Sequence, residues 1–279
     1  MLIQSSRSIA VPLLWCVCLA LKTTPLLAQP VRLELRPRAG DTLMLRIEQQ
    51  TELIGSILRP SRDTSITIKT SMLMFARAVI ERTDHYGAVV MALTDSMSAN
   101  STPEDAGDFQ AMERGIVGKR VYMRVLPDGS SELIGTDGTI NSIIRAFLAD
   151  MPATLPSGPV EVGATWERVV NLPLQAGGRP HSVRTTFQLD SLSLGRRMAY
   201  ISMRGLIVEA QTLPDSAART TTSGNMKGNM TLDRQRGWIV ASVATITIKA
   251  IVKRPIESAL PPLNFQIRIT QEMRTLNQR

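Results

Sequence analysis

The chain has 279 residues, a formal net charge of +8, an aromatic content of 4% and only two cysteines, Cys16 and Cys18. Its basic residues are spread along the chain without a block of about five or six like charges, which together with the few aromatics argues against nucleic-acid binding. Both cysteines fall in a segment that we expect to be removed, which excludes disulfides, thiolate catalysis and cysteine metal sites from the remaining chain.

Residues 1–28 have the pattern of a secretion signal. Arg7 is the only charge before the apolar stretch 9–21, and cleavage is predicted after Ala28. Lys22 ends that stretch before it reaches the length of a membrane span, and no run of about 20 apolar residues follows, so no transmembrane segment is predicted. A lipidated Cys16 is disfavoured because Trp15 stands where a small residue is needed. We therefore expect an exported, soluble protein, periplasmic or extracellular.

Loss of Arg7 and Lys22 with the signal lowers the net charge from +8 to +6. This charge favours association with an anionic envelope surface over repulsion, but the spread of the basic residues along the chain makes plain solubility the preferred interpretation.

Alternation with a period of two residues dominates the remaining sequence and predicts antiparallel strands, for example at 31–36, 43–48 and 265–270. Turn signals separate the runs, among them Asp128-Gly129. The run 238–252 predicts one long strand, whereas the polar segment 209–223 favours a loop.

Short segments recur in the same order in both halves of the chain, which indicates two copies of one module. The matches are Gly40-Asp41-Thr42 with Gly163-Ala164-Thr165, 68–72 with 183–187, and Gly118 before 123–126 with Gly224 before 230–233. The predicted fold is mostly β, with two duplicated antiparallel modules forming a large curved sheet or half-barrel covered by one or two helices. The first module spans 29–151, a proline-rich linker spans 152–162, and the second module spans 163–279.

Two segments of the first module are predicted to be helical. One spans 103–117, with Pro103 in its first turn. The other spans 139–151, with Thr139 as N-cap and Pro152 as its stop. Its apolar stripe must be buried against another element.

The linker carries a resemblance to a known family. Leu155-Pro156, the run 159–163 and Trp166 resemble the LP-x-x-PV-x-VG-x-x-W signature of exported bacterial proteins classed as a domain of unknown function. The resemblance covers roughly 32–275 and implies a signal followed by two β halves, although Ala164 replaces the family's usual aspartate. It implies no catalytic residues. At fold level, a helix inside a β-rich half-open barrel is similar to periplasmic lipoprotein carriers, which hold acyl chains.

The sequence offers little for catalysis. His85 and His181 are its only histidines, no metal-ligand spacing occurs around them, and no nucleophile elbow or phosphate loop is present. We predict a non-catalytic protein without a cofactor or metal. The alternatives are a structural or protein-interaction module with a filled core and a hydrolase of unknown mechanism.

Methionine is the notable residue type, with 14 copies against 11 aromatics. It suits surfaces that adapt to varied apolar partners, and it also serves as plain core filler. We predict an apolar or lipid-like ligand between sheet and helix, in a cavity of about 300 Å³ or more. The candidate ligand-binding residues are Ile140, Ile143, Ile144, Phe147, Leu148, Met151, Met72, Met74, Met123 and Met203.

Overall fold

The computed structural model describes residues 29–57, 64–102, 109–137, 150–151, 153–172, 181–212, 219–253 and 262–276; the predicted signal lies outside these ranges. The first half contains β1 (Thr42–Ile57), β2 (Thr64–Asp84), β3 (Gly87–Thr102), α1 (Phe109–Ile116), β4 (Arg120–Val125), β5 (Ser131–Thr136) and β6 (Asp150–Met151). The second contains β7 (Thr165–Leu172), β8 (His181–Leu192), β9 (Met198–Thr212), β10 (Arg219–Asp233), β11 (Trp238–Lys253) and β12 (Leu263–Leu276), with a 3-10 turn at Leu194–Arg196.

All twelve strands belong to one antiparallel sheet, in the order β6-β5-β4-β3-β2-β1-β12-β11-β10-β9-β8-β7. Strands adjacent in sequence pair with each other within β1–β6 and within β7–β12, and β12 joins the two halves by pairing with β1 as well as with β11. Within the described residues the edge strands β6 and β7 do not pair, so the sheet is open. The predicted mostly β class with a large antiparallel sheet is confirmed, and β12 connects the two halves of that sheet.

The two halves share their turn geometry as well as their strand order. Gly40 and Gly163 both adopt the left-handed region, with φ of 87° and 89°, where glycine is strongly favoured. The Gly40 amide donates to the Ile80 carbonyl at 2.8 Å, and the Gly163 amide donates to the Leu189 carbonyl at 2.7 Å. A bulge follows both Ile80 and Leu189. The predicted equivalence of these two turns is therefore confirmed.

A second predicted equivalence is wrong. Gly118 precedes β4 in a left-handed turn, but Gly224 lies inside β10, opposite Ile207 and Ile248. In the segment 209–223, predicted as a loop, the described residues 209–212 form the end of β9 and the described residues 219–223 the start of β10, so the loop prediction is wrong for them. Its threonines suit a strand, because β-branched residues pack well on a pleated surface.

Of the two predicted helices, the structure contains part of the first and contradicts the described end of the second. Within 103–117, the described residues 109–116 form α1, which lies against β3. Of the predicted helix over 139–151, only the last two residues are described, and Asp150 and Met151 form a strand that pairs with Glu132 and Ser131 of β5. The helical assignment of Met151 is therefore wrong. A residue that precedes proline is disfavoured in the α region, and Pro152 follows directly.

The buried core lies at one end of the sheet, called here the core end, where the turns β2–β3, β4–β5, β8–β9 and β10–β11 meet. Fully buried residues come from both halves, among them Ile80, Leu189, Ile201 and Leu232. Because five strands separate β3 from β9 in the sheet, a common core requires the sheet to curl strongly.

The N-terminal segment 31–36 crosses this core end. Its Val31 amide donates to the Val160 carbonyl at 2.8 Å, its Leu35 amide to the Pro127 carbonyl at 2.9 Å, and its Arg36 amide to the Gly237 carbonyl at 3.0 Å. Its apolar residues, Val31, Leu33 and Leu35, are all buried in the core. The alternation over 31–36 predicted a strand, but the segment makes a single bridge to Val160 instead of joining the sheet. It ties the linker and two hairpin turns together.

Two glycines of β10 allow a close approach to β11. A Cβ built on Gly228 would lie 2.2 Å from the Val243 carbonyl oxygen, and one on Gly224 would lie 2.4 Å from the Thr247 carbonyl oxygen. Only glycine permits the backbone of the neighbouring strand to come this close at these positions.

We expect Gly228→Ala to lower the free energy of unfolding by about 1–3 kcal/mol, because the added methyl group overlaps backbone atoms that cannot move independently. Gly135→Ala in β5 is the matched control, since nothing lies within 4 Å of its Cβ position. Urea unfolding followed by circular dichroism measures both. Equal stability of the two variants would show that β10 and β11 are not packed this closely.

Candidate functional site

The pairing register defines an inner face of the sheet, the face that carries the core. In antiparallel sheets, directly paired residues project from the same face. Leu43 is buried in the core, and β1 pairs with β2 without a bulge, so the odd-numbered residues of β1 all lie on the inner face. Following the pairs across the sheet gives rows of inner-face residues.

One of these rows, called here the methionine row, is rich in methionine. In sheet order it runs Met97, Met74, Ile47, Met273, Ser242, Met230, Ile201 and Leu189. Its ends, such as Met97 and Leu189, are buried, whereas Met74, Ile47 and Met273 in the middle are half-buried. The same apolar row thus passes from packed core to accessible surface.

The next row lies about 7 Å further from the core end, two residues along each strand. It runs Ala99, Met72, Gln49, Gln271, Ala244, Gly228, Met203, Phe187 and Trp166. Trp166 and Phe187 stack with ring centroids 5.8 Å apart and an interplanar angle of 9°. The aromatic end of this row belongs to the core, and its middle is polar.

On both sides of Gln49 and Gln271, the central strands carry half-buried apolar residues on the inner face, called here the central patch. It consists of Ile47, Leu53, Met72, Met74, Ile246, Ile267, Ile269 and Met273. Flexible methionine side chains and branched aliphatic side chains give it an adaptable surface. This patch is the strongest candidate site for an apolar ligand among the described residues.

The structure places the predicted ligand-binding residues in different surroundings. Met72 and Met74 belong to the central patch. Met203 is buried in the core, and Met123 pairs with Val90 near the core end. Met151 lies in β6 at the sheet edge. The remaining predicted residues lie outside the described ranges: Ile140, Ile143, Ile144, Phe147 and Leu148.

Sequence reasoning missed Met97, which pairs with Met74, and Met273, which lies two strands from Met74 on the other side of Ile47. Alternation shows which residues of one strand share a face, but the row becomes visible only once the strand order is known. The pairing of β12 with β1 supplied that order.

A charged cluster lies at the core end, in the β10–β11 turn. The Asp233 side chain is only 1% exposed. Its carboxylate accepts hydrogen bonds from Arg197 Nη2 at 2.7 Å, from Gln235 N at 3.0 Å and from Arg236 N at 3.1 Å. Burial raises the pKa of Asp233, but the hydrogen bonds from Arg197 and from the turn amides outweigh it and hold the pKa below its usual range. The same pair raises the pKa of Arg197.

Two cavities adjoin this cluster. One of about 410 Å³ is lined by Arg197, Asn229, Arg236 and Arg274 among others. A wider groove of about 890 Å³ includes Asp41, Arg77, Asp95 and Arg236. The smaller cavity also has an apolar part, with Met198, Val240, Val243 and Met273 in its lining, and the groove combines charged residues with Leu43, Met44 and Leu276. The cavity predicted beside the helix over 139–151 falls on residues most of which lie outside the described ranges.

The histidines do not come together. His85 lies in the β2–β3 turn at the core end, with its ring centroid 3.8 Å from that of Tyr86. Beside it, hydrogen bonds from the amides of Tyr86 and Gly87 lower the pKa of Asp84. His181 is the first residue of β8, at the opposite end of the sheet. Across the described ranges, no group of three or more histidine, cysteine or acidic residues is placed to hold a metal ion.

The comparisons with known proteins are sparse. A family model described as a family of unknown function (DUF6263) matches residues 141–239, so the chain is similar to that family over a range that contains the linker and β7–β10. An outer membrane channel from Pseudomonas putida F1 matches with 8% identity over 89% of this chain and 99% of the channel chain, at a TM-score of 0.20. A likeness this low carries no argument. No curated protein matches the chain.

None of the described helices is long and apolar enough to cross a membrane.

Proposed function

We propose that this protein is a non-catalytic, exported envelope protein that binds an apolar or lipid-like ligand on the inner face of its sheet. The central patch is the observation that carries this proposal. The strands on either side of the patch contribute buried residues to the core. The residues of the patch itself, aliphatic side chains and methionines, are half-exposed on the concave side of the curled sheet. Apolar surface of this kind is typical of ligand grooves and interaction sites.

Charge supports a second partner for the same protein. The 410 Å³ cavity at the core end is lined by Arg197, Arg236 and Arg274. Asp233 forms ion pairs with the first two and Glu272 forms one with the third, so three cations meet two carboxylates. The remaining positive charge favours an anionic envelope surface.

The outer face favours the alternative, a structural or protein-interaction module. Leu73 and Phe75 of β2 are half-buried there, on the opposite side from Met72 and Met74. A protein partner on that face would cover apolar side chains without any ligand on the inner face.

A binding assay shows whether an apolar ligand binds the inner face or the outer face of the sheet. We expect Met74→Glu to weaken the binding of the fluorescent apolar probe N-phenyl-1-naphthylamine by about tenfold, because a carboxylate replaces an apolar contact. Leu73→Glu is the matched control, since it places the same charge one residue away on the outer face. Fluorescence titration with both purified variants measures the effect.

Equal binding by the two variants would contradict the inner-face site, and weaker binding by Leu73→Glu alone would favour the outer face. Native mass spectrometry of protein purified from its own envelope complements the titration, because a retained lipid identifies the class of ligand directly.

A further inference from the structure

Six arginines meet at the core end of the sheet, in a cluster called here the arginine patch. They come from the N-terminal segment 31–36, the β8–β9 turn and the β10–β11 turn. The Arg234 amide donates to the Arg197 carbonyl at 2.9 Å, and the Arg36 amide donates to the Gly237 carbonyl at 3.0 Å, so the three segments are in direct contact. The patch consists of Arg32, Arg36, Arg196, Arg197, Arg234 and Arg236.

The arginine patch carries more positive charge than the protein itself neutralises. Among the described residues, the carboxylates that form ion pairs with it are Glu34, with both arginines of the N-terminal segment, and Asp233, with Arg197 and Arg236. Six guanidinium groups thus meet two carboxylates, and an excess of four positive charges remains.

Two arginines of the patch are held by carbonyl groups rather than by acids. Arg234 Nη1 donates to the Arg196 carbonyl at 2.6 Å, and Arg196 Nη2 donates to the Gln29 carbonyl. A carbonyl oxygen satisfies the hydrogen bond and fixes the side chain, but it does not neutralise the cation. These two contacts therefore hold positive charge in place without compensating it.

An exposed apolar side chain lies beside these arginines. Leu194 is fully exposed in the β8–β9 turn, two residues before Arg196. The turn is well defined, because the Arg196 amide donates to the Ser193 carbonyl at 2.7 Å and the Met198 amide donates to Ser193 Oγ at 2.9 Å. A single exposed leucine is common on protein surfaces and needs no explanation by itself. Its place next to an uncompensated cluster of cations is the informative feature.

A bilayer of anionic lipids matches both parts of this surface. Its negative headgroups attract arginines close to the surface, and phosphate accepts two-point contacts from guanidinium. The boundary between headgroups and acyl chains takes up apolar side chains such as leucine. A soluble polyanion would also bind the arginines, but it would leave Leu194 in water.

Resting on the proposed function, which places the protein in the envelope, we infer that the arginine patch docks it on an anionic phospholipid bilayer and that Leu194 inserts at the level of the headgroups. The core end then faces the bilayer, and the 410 Å³ cavity, which Arg197 and Arg236 also line, lies beside the contact. The opposite end of the sheet, where β8 begins at His181, faces away from the bilayer.

Co-sedimentation with lipid vesicles tests the charge of the partner. We expect the purified protein to bind phosphatidylglycerol vesicles at least about tenfold more tightly than phosphatidylcholine vesicles, because only the former are anionic. An increase in salt from about 0.05 M to about 0.5 M is expected to release most of the protein, since exposed charges are then screened.

A double variant tests the arginine patch. Arg36→Gln combined with Arg236→Gln is expected to weaken binding to phosphatidylglycerol vesicles by about tenfold, because both side chains are exposed and each arginine near an anionic bilayer contributes. Arg184→Gln combined with Arg204→Gln is the matched control. It removes the same charge from exposed positions on the outer face of β8 and β9, away from the turns.

A second pair of variants tests the insertion. Leu194→Ala is expected to weaken binding to phosphatidylglycerol vesicles by about fivefold, because less apolar surface leaves water on docking. Leu206→Ala is the matched control, since Leu206 is also exposed but lies on the outer face of β9, paired with Arg184.

The outcomes separate this inference from the proposed apolar site. Equal binding to both kinds of vesicle, or unchanged binding by the double variant of the patch, would overturn the docking surface. Unchanged binding by Leu194→Ala would overturn the insertion. Retention on heparin without binding to vesicles would assign the patch to a soluble polyanion instead.

Met74→Glu keeps the two proposals distinguishable, because it alters the central patch and leaves the arginine patch intact. It is expected to bind phosphatidylglycerol vesicles as the wild type does while its binding of N-phenyl-1-naphthylamine is weakened. Loss of vesicle binding in Met74→Glu would show that the bilayer contacts the inner face, which contradicts docking through the core end. Should the double arginine variant not fold, the comparison of Leu194→Ala with Leu206→Ala and the salt dependence still decide.

Discussion

Replacing Leu33 by aspartate is expected to prevent folding of the chain at neutral pH. The Leu33 side chain is 1% exposed and lies in the core that both halves of the sheet share. Truncation of such a leucine to alanine alone costs about 2–5 kcal/mol, and a buried, unpaired carboxylate adds several more. Since a domain is stable by about 5–15 kcal/mol, this substitution removes most of its stability. Far-ultraviolet circular dichroism and urea unfolding measure the loss.

Arg32→Ala is the control for this experiment, because Arg32 is adjacent in sequence but its side chain is 62% exposed. Its ion pair with Glu34 is 3.8 Å long and lies at the surface, so the loss is expected to be below about 0.5 kcal/mol. If Leu33→Asp unfolds at the same urea concentration as Arg32→Ala, the N-terminal segment is not part of the core.

This N-terminal segment also shows how far alternation predicts structure. The pattern over 31–36 correctly separates the buried residues Val31, Leu33 and Leu35 from the half-buried Glu34 and the exposed Arg32 and Arg36. It cannot tell whether the backbone pairs within a sheet or crosses a core, because both arrangements bury every second side chain. The hydrogen bonds to Pro127 and Gly237 come from turns about 90 and 200 residues away, a distance that no local pattern reports.

The internal repeat predicted more of the fold than the alternation pattern of any single strand did. The match of 123–126 with 230–233 agrees with the register, since Met123 pairs with Val90 and Met230 pairs with Ile201 at corresponding places. The match of Gly118 with Gly224 failed, because a glycine inside a strand and a glycine in a turn look the same in sequence. Position along the paired strands, not residue type, distinguishes them.

The candidate site was only partly within reach of the sequence. Abundant methionine in strand-like runs pointed to Met72 and Met74, and both lie in the central patch. Met97 and Met273 gave no separate signal, because the row that they share with Ile47 and Met74 exists only once the strand order is known.

Asp233→Asn is expected to lower the free energy of unfolding at neutral pH by about 2–3 kcal/mol, because it removes a buried charge that accepts hydrogen bonds from Arg197. The two amides of the turn can still donate to the asparagine oxygen, so the loss reports the ion pair rather than the turn. Asp128→Asn in the β4–β5 turn is the matched control, since Asp128 accepts from Ser130 and has no arginine partner among the described residues.

The pH dependence gives a second, independent readout of the same substitution. The pKa of Asp233 is lowered in the folded protein, so the unfolded chain takes up a proton first as the pH falls. The stability advantage of the wild type over Asp233→Asn should therefore be fully present above the unfolded pKa of about 3.9 and be lost as the pH falls through the lower folded value. Urea unfolding of both proteins between about pH 7 and pH 3 measures this difference. A difference that is already absent at neutral pH, or that grows as the pH falls, would contradict a charged Asp233 stabilised by Arg197.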